Sequence, residues 1–216
     1  MAQIFPKSAN AVAKASIFAV LFLVAAGGFA LWRLANSGYV TRQGIILEQP
    51  VPFSHAPHVA QIGIDCRYCH TAVESQASAG IPPTQTCMNC HNQLWTNAAL
   101  LEPIRASLRE GKPIQWNRVN DLPDFVYFNH SIHVAKGVAC TTCHGPVDKM
   151  PLMYQGAPLT MKWCLDCHRD PVKNLRPRSE VANVFWQPPA DLAALQAIWA
   201  KAHNVQSKVS CSTCHR

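Results

Sequence analysis

A chain of 216 residues suggests one or two domains, and its formal charge of +7 comes from 19 Lys and Arg set against 12 Asp and Glu. Such an excess raises nucleic acid or an anionic membrane as a partner, but no basic cluster with interleaved aromatics occurs, which argues against nucleic acid. Charged residues are only 14% and prolines number 16, a composition suited to irregular backbone wrapped around something other than a large apolar core.

Between Lys14 and Arg33 lie 18 residues without a charge, from Ala15 to Trp32. At 1.5 Å per residue they make about 27 Å of helix, enough to cross a ~30 Å hydrocarbon core if Lys14 and Arg33 reach outward to the interfaces. Trp32 suits the interfacial belt. The rival is a cleaved signal peptide, for which V-A-A and G-F-A offer small-residue sites. The expectation is an uncleaved anchor over 1–36, followed by a tether over 37–52 that has no helical period.

An internal repeat begins at Phe53. Phe53-Ser54-His55-Ala56-Pro57-His58 corresponds to Phe128-Asn129-His130-Ser131-Ile132-His133. Each is followed by C-x-x-C-H, then G-x-P-x-T at Gly80 to Thr84 and Gly156 to Thr160, then a second C-x-x-C-H. The repeats span about 53–91 and 128–168, within a domain over 53–216. Between them, Asn97 to Gly111 is predicted helical, capped by Asn97, ended by Gly111 and kinked or shortened by Pro103. Gln115 to Tyr127 is predicted extended, with Trp116 and Phe125 as packing aromatics. In the tail, 169–216, Asp191 starts a predicted helix with Leu192, Leu195, Ile198 and Trp199 on one stripe. A fifth C-x-x-C-H closes the chain ahead of Arg216.

The five motifs are Cys66-Cys69-His70, Cys87-Cys90-His91, Cys140-Cys143-His144, Cys164-Cys167-His168 and Cys211-Cys214-His215, and they use all ten cysteines. Zinc ribbons or five disulfides would explain paired cysteines. Neither requires a His directly after each pair, and five such coincidences have a probability of roughly 10⁻⁷ on composition. C-x-x-C-H is the attachment signature of a c-type haem: the two thiols add to the two vinyl groups, and the adjacent imidazole takes one face of the iron. The cofactor expectation is therefore five covalently bound haems c, with His70, His91, His144, His168 and His215 as proximal ligands. Ten propionates would absorb much of the basic excess. The fold class expected is mostly irregular with short α-helices, packed around five haems, plus one N-terminal transmembrane helix. Because haem is attached on the outer side of the cytoplasmic membrane, the N-terminus is expected inside and the haem domain on the periplasmic side.

Lone histidines are usually solvated spectators. His55, His58, His130 and His133 are instead paired at the same offset in two repeats, and are expected as sixth ligands. The remaining iron must take one of Met150, Met153, Met161 or His203. Methionines also pack against porphyrin without ligating. His203 has no paired histidine and lies only eight residues before Cys211, so a His/Met iron of higher potential is expected.

F-x-H-x-x-H followed by C-x-x-C-H resembles the small multihaem cytochromes of the c3/c7 class. That resemblance implies His55 for the haem at Cys66-Cys69 and His130 for that at Cys140-Cys143. It leaves His58 and His133 for others, such as those at Cys87-Cys90 and Cys164-Cys167. A longer match covers G-I-D-C-R-Y-C-H-T, D-L-P-D-F-V-Y-F-N-H-S-I-H, M-P-L-M-Y-Q-G-A-P-L-T-M-K-W-C-L-D-C-H-R and the terminal S-C-S-T-C-H-R. These resemble the pentahaem subunit of alternative complex III, a membrane quinol:electron-acceptor oxidoreductase. The resemblance implies an electron wire, in respiration or photosynthesis. Its partners would be an iron–sulfur subunit, polytopic quinol-binding subunits and a monohaem cytochrome c. An enzyme such as a multihaem nitrite reductase needs an open iron, often marked by C-x-x-C-K, and all five motifs here end in His. An anchored multihaem quinol dehydrogenase, or a reductase partner outside that complex, is the alternative.

Overall fold

The structure is a computed structural model that describes residues 4–215; Arg216, the last residue of the sequence, lies outside them. Two compact units divide between Arg42 and Gln43. The first is dominated by one helix, Ala9–Ala35, of 27 residues, or about 40 Å at 1.5 Å per residue. It extends past the charge-free run at both ends, because Lys14 and Arg33 are good helix formers and nothing breaks the period before Asn36. Asn36 closes it by donating from Nδ2 to the Trp32 carbonyl at 2.8 Å. None of its residues is buried, and Phe18, Phe22, Val24 and Leu31 point outward on different faces. An ordinary surface helix hides one stripe; this one is apolar all round, the pattern of a helix whose solvent is not water.

The second unit consists of short helices joined by irregular backbone. Its longest helix, Leu192–Ala202, has 11 residues. Among the described residues there are no strands, only isolated bridges such as Val138 with Leu175. The fold class is thus mostly helical and irregular, as the composition and motif spacing imply.

The core is too small for a chain of this length. Among the described residues ten apolar side chains are buried. The chain exposes 14759 Å², whereas a compact protein of 23.8 kDa would expose about 9,900 Å². The Ala9–Ala35 helix, none of whose residues is buried, contributes to the excess. One local cluster, Val51, Leu101 and Ile104, with Cys87, Met88 and Trp116 packed against it, supports the second motif.

Two sequence expectations change in detail. The 97–111 helix begins as a 3₁₀ turn, Ala99–Leu101, and its α-helical part is Glu102–Glu110. Pro103 neither kinks nor shortens an established helix; it sits in the first turn, where its missing N–H has no partner to lose. Gly111 ends the helix at φ +65. In Leu192–Ala202 the buried residue is Gln196 rather than Ile198, which is exposed. Gln196 Nε2 donates to the carbonyls of Lys173 at 2.8 Å and Leu175 at 3.1 Å, so a polar side chain satisfies two chain carbonyls on the inward face.

Candidate haem sites

Each C-x-x-C-H forms about one helical turn: Cys66–Cys69, Cys140–His144 and Cys211–Cys214 are short helices, and the other two motifs end Thr84–His91 and Met161–Arg169. Helical spacing puts residues i, i+3 and i+4 on one face, so both thiols and the imidazole of each motif address the same space. Asp65 caps the first turn by accepting from Arg67 N at 2.8 Å, and Thr160 caps the fourth by accepting from Trp163 N at 3.3 Å.

The duplicated F-x-H-x-x-H folds as a duplicated cluster. Phe53 meets His55 edge-on at 4.9 Å and 86°, and lies over His58 at 4.6 Å and 33°. Phe128 meets His130 at 4.7 Å and 87°, and His133 at 4.6 Å and 29°. His58 Nδ1 donates to the Ser54 carbonyl at 2.8 Å, and His133 Nδ1 to Asn129 at 2.7 Å. The first repeat has one more residue between its second His and its C-x-x-C-H. That residue is absorbed where Pro57–Gln61 winds as a π-helix, with Ile62 N reaching the Pro57 carbonyl. A single-turn π insertion accommodates one residue without moving what flanks it.

These histidines face the motif histidines in pairs. His58 and His91 have ring centroids 6.2 Å apart, His133 and His168 6.0 Å, and His130 and His144 6.2 Å. Two metal–imidazole bonds of about 2 Å plus two ring radii of roughly 1.1 Å give about 6 Å. The pairs therefore have the separation of two imidazoles on opposite sides of one metal ion. The ring planes differ: 62° and 61° in the first two pairs, 5° in His130–His144. His55 has His70 as an electrostatic neighbour, and its Nδ1 is buried without a hydrogen-bond partner.

The rings are also oriented. His70 Nδ1 bonds the Gly80 carbonyl at 2.7 Å, His91 that of Leu94 at 3.2 Å, His168 that of Lys208 at 2.9 Å and His215 that of Phe125 at 3.0 Å. His130 Nδ1 bonds Ala77 O at 2.7 Å. A carbonyl only accepts, so each Nδ1 carries the proton and each Nε2 is left as the metal-binding lone pair. Burial, then the His70 imidazole, holds His55 down to about 4. Burial, then His130, does the same for His144, also to about 4. Burial lowers His133 as well. Neutral imidazole at neutral pH is the ligating form.

The cysteines are free thiols in the structure. Burial pushes Cys143 up to about 11 and raises Cys69, Cys87, Cys164 and Cys167. The Cys66 thiol against it, together with burial, raises Cys140. The neighbouring Cys140 thiol holds Cys66 down to about 7, whereas the raised thiols are not activated nucleophiles. Among the described residues no group of three or more His, Cys, Asp or Glu could hold a metal, which a zinc ribbon would require. Two opposed imidazoles beside a thiol pair fit haem c instead, and the missing core leaves space for a large apolar cofactor.

The candidates for the last iron separate. Met150 is 1% exposed and its Cε packs beside Gly145, sealed within protein. Met161 is 63% exposed at the start of its helix. Met153 and His203 are half-buried, and the His203 carbonyl accepts from Lys136 Nζ at 2.5 Å. Phe125 packs its ring 5.8 Å from that of His215, tilted by 31°, on the Nδ1 side where its carbonyl accepts from the imidazole.

Sequence reasoning did not single out the carbonyls of Ala77, Leu94, Lys208 and Phe125, since a backbone acceptor leaves no mark on residue type. The repeated glycine was a usable signal. Gly80 supplies the acceptor for His70, and a Cβ on Gly156 would stand 2.6 Å from the His144 carbonyl. In both repeats the G-x-P-x-T glycine lies against the proximal histidine.

Opposed imidazoles, each beside a thiol pair on a helical turn, define a multihaem cytochrome c. Residues 126–216 match the family model of cytochrome c7 and related cytochromes c. The chain is 31% identical over 167 residues to the multihaem cytochrome c subunit of menaquinone reductase from Nitratidesulfovibrio vulgaris, an alignment covering 68% of this chain and 77% of that protein. The chain belongs to this family of multihaem cytochromes c and binds haem c.

Proposed function

We propose that this chain is a membrane-anchored pentahaem cytochrome c, the electron-carrying subunit of a membrane quinone oxidoreductase. The observation that carries the reading is the set of three imidazole pairs at 6.0–6.2 Å. Haem, when bound, supplies a one-electron ferric/ferrous couple. The residues do the rest. Cys66, Cys69, Cys87, Cys90, Cys140, Cys143, Cys164, Cys167, Cys211 and Cys214 would hold five haems by thioether bonds. His70, His91, His144, His168 and His215 would be the ligands adjacent to each thiol pair. His58, His130 and His133 would serve as the second imidazoles of the second, third and fourth sites, and His55 as that of the first. Closed faces would leave substrate no coordination position at these four sites, which favours electron transfer over catalysis. For the fifth site the candidates narrow to Met153, Met161 and His203, because Met150 is enclosed by protein.

The Ala9–Ala35 helix is long and apolar enough to span a bilayer, and serves as an anchor that keeps the haem domain on the periplasmic side. The resemblance to alternative complex III supports electron flow from quinol toward a periplasmic acceptor, with an iron–sulfur subunit, polytopic subunits and a monohaem cytochrome c as partners. The similarity to a menaquinone reductase subunit favours a second reading, with electrons passing toward a quinone. Both use the same relay; the difference lies in its surroundings. The test is mass spectrometry of the mature denatured chain, which should carry five haems, joined to purification from membranes. Co-purifying subunits and reduction of the haems by menaquinol support quinol oxidation. Oxidation of the prereduced haems by menaquinone supports the reverse. Fewer than five haems, or a chain recovered alone and inert to both, would refute the proposal.

A further inference from the structure

We infer that the five attachment motifs stand in one file in the order second, first, third, fourth, fifth, so that the two repeats join through their leading motifs and the ends of the relay are Cys87–Cys90 and Cys211–Cys214. The inference rests on the five-haem reading above and adds an order that chain position does not give.

Each junction has its own bond. The second and first motifs touch inside their loops: Asn89 Nδ2 donates to Tyr68 Oη at 3.1 Å, each residue lying between the two cysteines of its own motif. The distal histidines of these two sites, His55 and His58, share Phe53. The first and third motifs meet across 74 positions of sequence. Cys140 N donates to the Val181 carbonyl at 3.0 Å, and Cys66 Sγ contacts the next carbonyl, Ala182, at 3.7 Å. Two adjacent carbonyls of one buried segment thus hold one cysteine from each repeat, and the Cys66 and Cys140 thiols are electrostatic neighbours. Arg176 fastens that segment, bonding Asn183 O at 3.1 Å and Thr141 Oγ1 at 3.2 Å.

The third and fourth sites share the 130–135 helix. His130 faces His144, and three residues later His133 faces His168. The fourth and fifth are joined where His168 Nδ1 donates to the Lys208 carbonyl at 2.9 Å, three residues before Cys211, and Cys164 and Cys214 are electrostatic neighbours. Four junctions joining five sites in this pattern make a file. A file has a property that chain order would not give: removing the third site cuts it, whereas removing the second only shortens it.

The experiment uses the full mature chain, after mass spectrometry has confirmed five haems, so that a wrong count is recognised before order is tested. A ruthenium tris-bipyridyl photoreductant, with a sacrificial amine donor, is tethered at S207C beside the fifth motif. Reduction is followed at dilution, where transfer between molecules is slow. The parent should reduce all five haems in one fast phase. C87A/C90A, with four haems by mass, should reduce all four together. C140A/C143A, also with four, should reduce two of the four fast and leave two behind. A single fast phase in C140A/C143A, or a stranded fraction in C87A/C90A, overturns the order. If either variant fails to mature, a density map of the five-haem parent is the second measurement. The nearest irons of the two repeats should then be those of the first and third motifs, and any other closest pair overturns the inference.

Discussion

A histidine can bind a metal through either nitrogen, and this chain removes the choice. His58, His70, His91, His130, His133, His168 and His215 each donate Nδ1–H to a backbone carbonyl, which fixes the tautomer and turns Nε2 toward the cofactor space. Two of those acceptors lie four residues before the histidine they orient, so the F-x-H-x-x-H turn carries its own orienting bond. It follows that His58→Ala or His133→Ala should leave the haem count unchanged by mass, since no thioether is lost, while turning one iron high-spin. The three pairs should also differ in the ferric electron paramagnetic resonance spectrum. Parallel rings, at 5° in His130–His144, give a rhombic signal; rings at 61° and 62° give one with a single large g value. His130→Ala should delete the rhombic signal, and His58→Ala and His133→Ala should each reduce the large-g intensity. Deletion of the rhombic signal by His58→Ala would contradict the pairing.

Among the elements, the short motif helices depend on what caps and backs them. Asp65 caps the first one, and its carboxyl is held below the usual range by the hydrogen bonds from Arg67. A carboxyl whose folded value is depressed stabilises the fold above its unfolded value, about pH 4. That contribution is lost as pH falls through the folded value. Asp65→Ala should therefore cost about 1 kcal/mol near neutral pH, the usual worth of a cap, with little added by the exposed ion pair. Thermal melts of the two proteins should converge as pH drops below about 4. A constant gap across that range would show that the carboxylate is not the cause. The glycine behind His144 acts through space. A Cβ at Gly156 would approach the His144 carbonyl to 2.6 Å, so Gly156→Ala should destabilise by about 2 kcal/mol and perturb the rhombic signal of the third site above all. Equal perturbation of every haem signal would point to general loosening instead.

At this scale the sequence was informative where a pattern repeats and silent where the backbone acts alone. The duplicated histidines, the motif turns and the glycine of G-x-P-x-T could all be located from residue type and spacing. The π-helical turn could not, although a one-residue difference between repeats was its trace, because an insertion can be absorbed anywhere along a loop. Gln196 was missed because an apolar stripe draws attention to Ile198, while two carbonyls awaiting a donor are invisible in a sequence. Met150 looked like Met153 and Met161 because residue type does not tell a methionine enclosed by the chain from an exposed one. Ala77, Lys208 and Phe125 contribute through carbonyls that any residue could have supplied.

The whole molecule sets two solvents against each other. The Ala9–Ala35 helix buries nothing and is apolar on every face, while the second unit gathers ten thiols and ten imidazoles around space that ten buried apolar side chains cannot fill. Covalent haem attachment takes place outside the cytoplasmic membrane, so the proposed anchor should cross once, with the N-terminus inside and the haem domain outside. Lys7 and Lys14 on one flank against Arg33 and Arg42 on the other give little charge asymmetry, so the chemistry of attachment decides and not the flanks. Protease added to sealed inside-out vesicles should leave the haem-stained fragment intact, and added to right-side-out vesicles should release or degrade it. Replacing residues 9–35 by a cleavable secretory leader should yield a soluble protein that still carries the full complement of haem, because every thiol and every candidate ligand lies after Arg42. A haem domain digested from the cytoplasmic face would overturn the orientation. A leader-bearing protein that stays with the membrane would show that other subunits hold the haem domain there and that the helix is not its sole attachment.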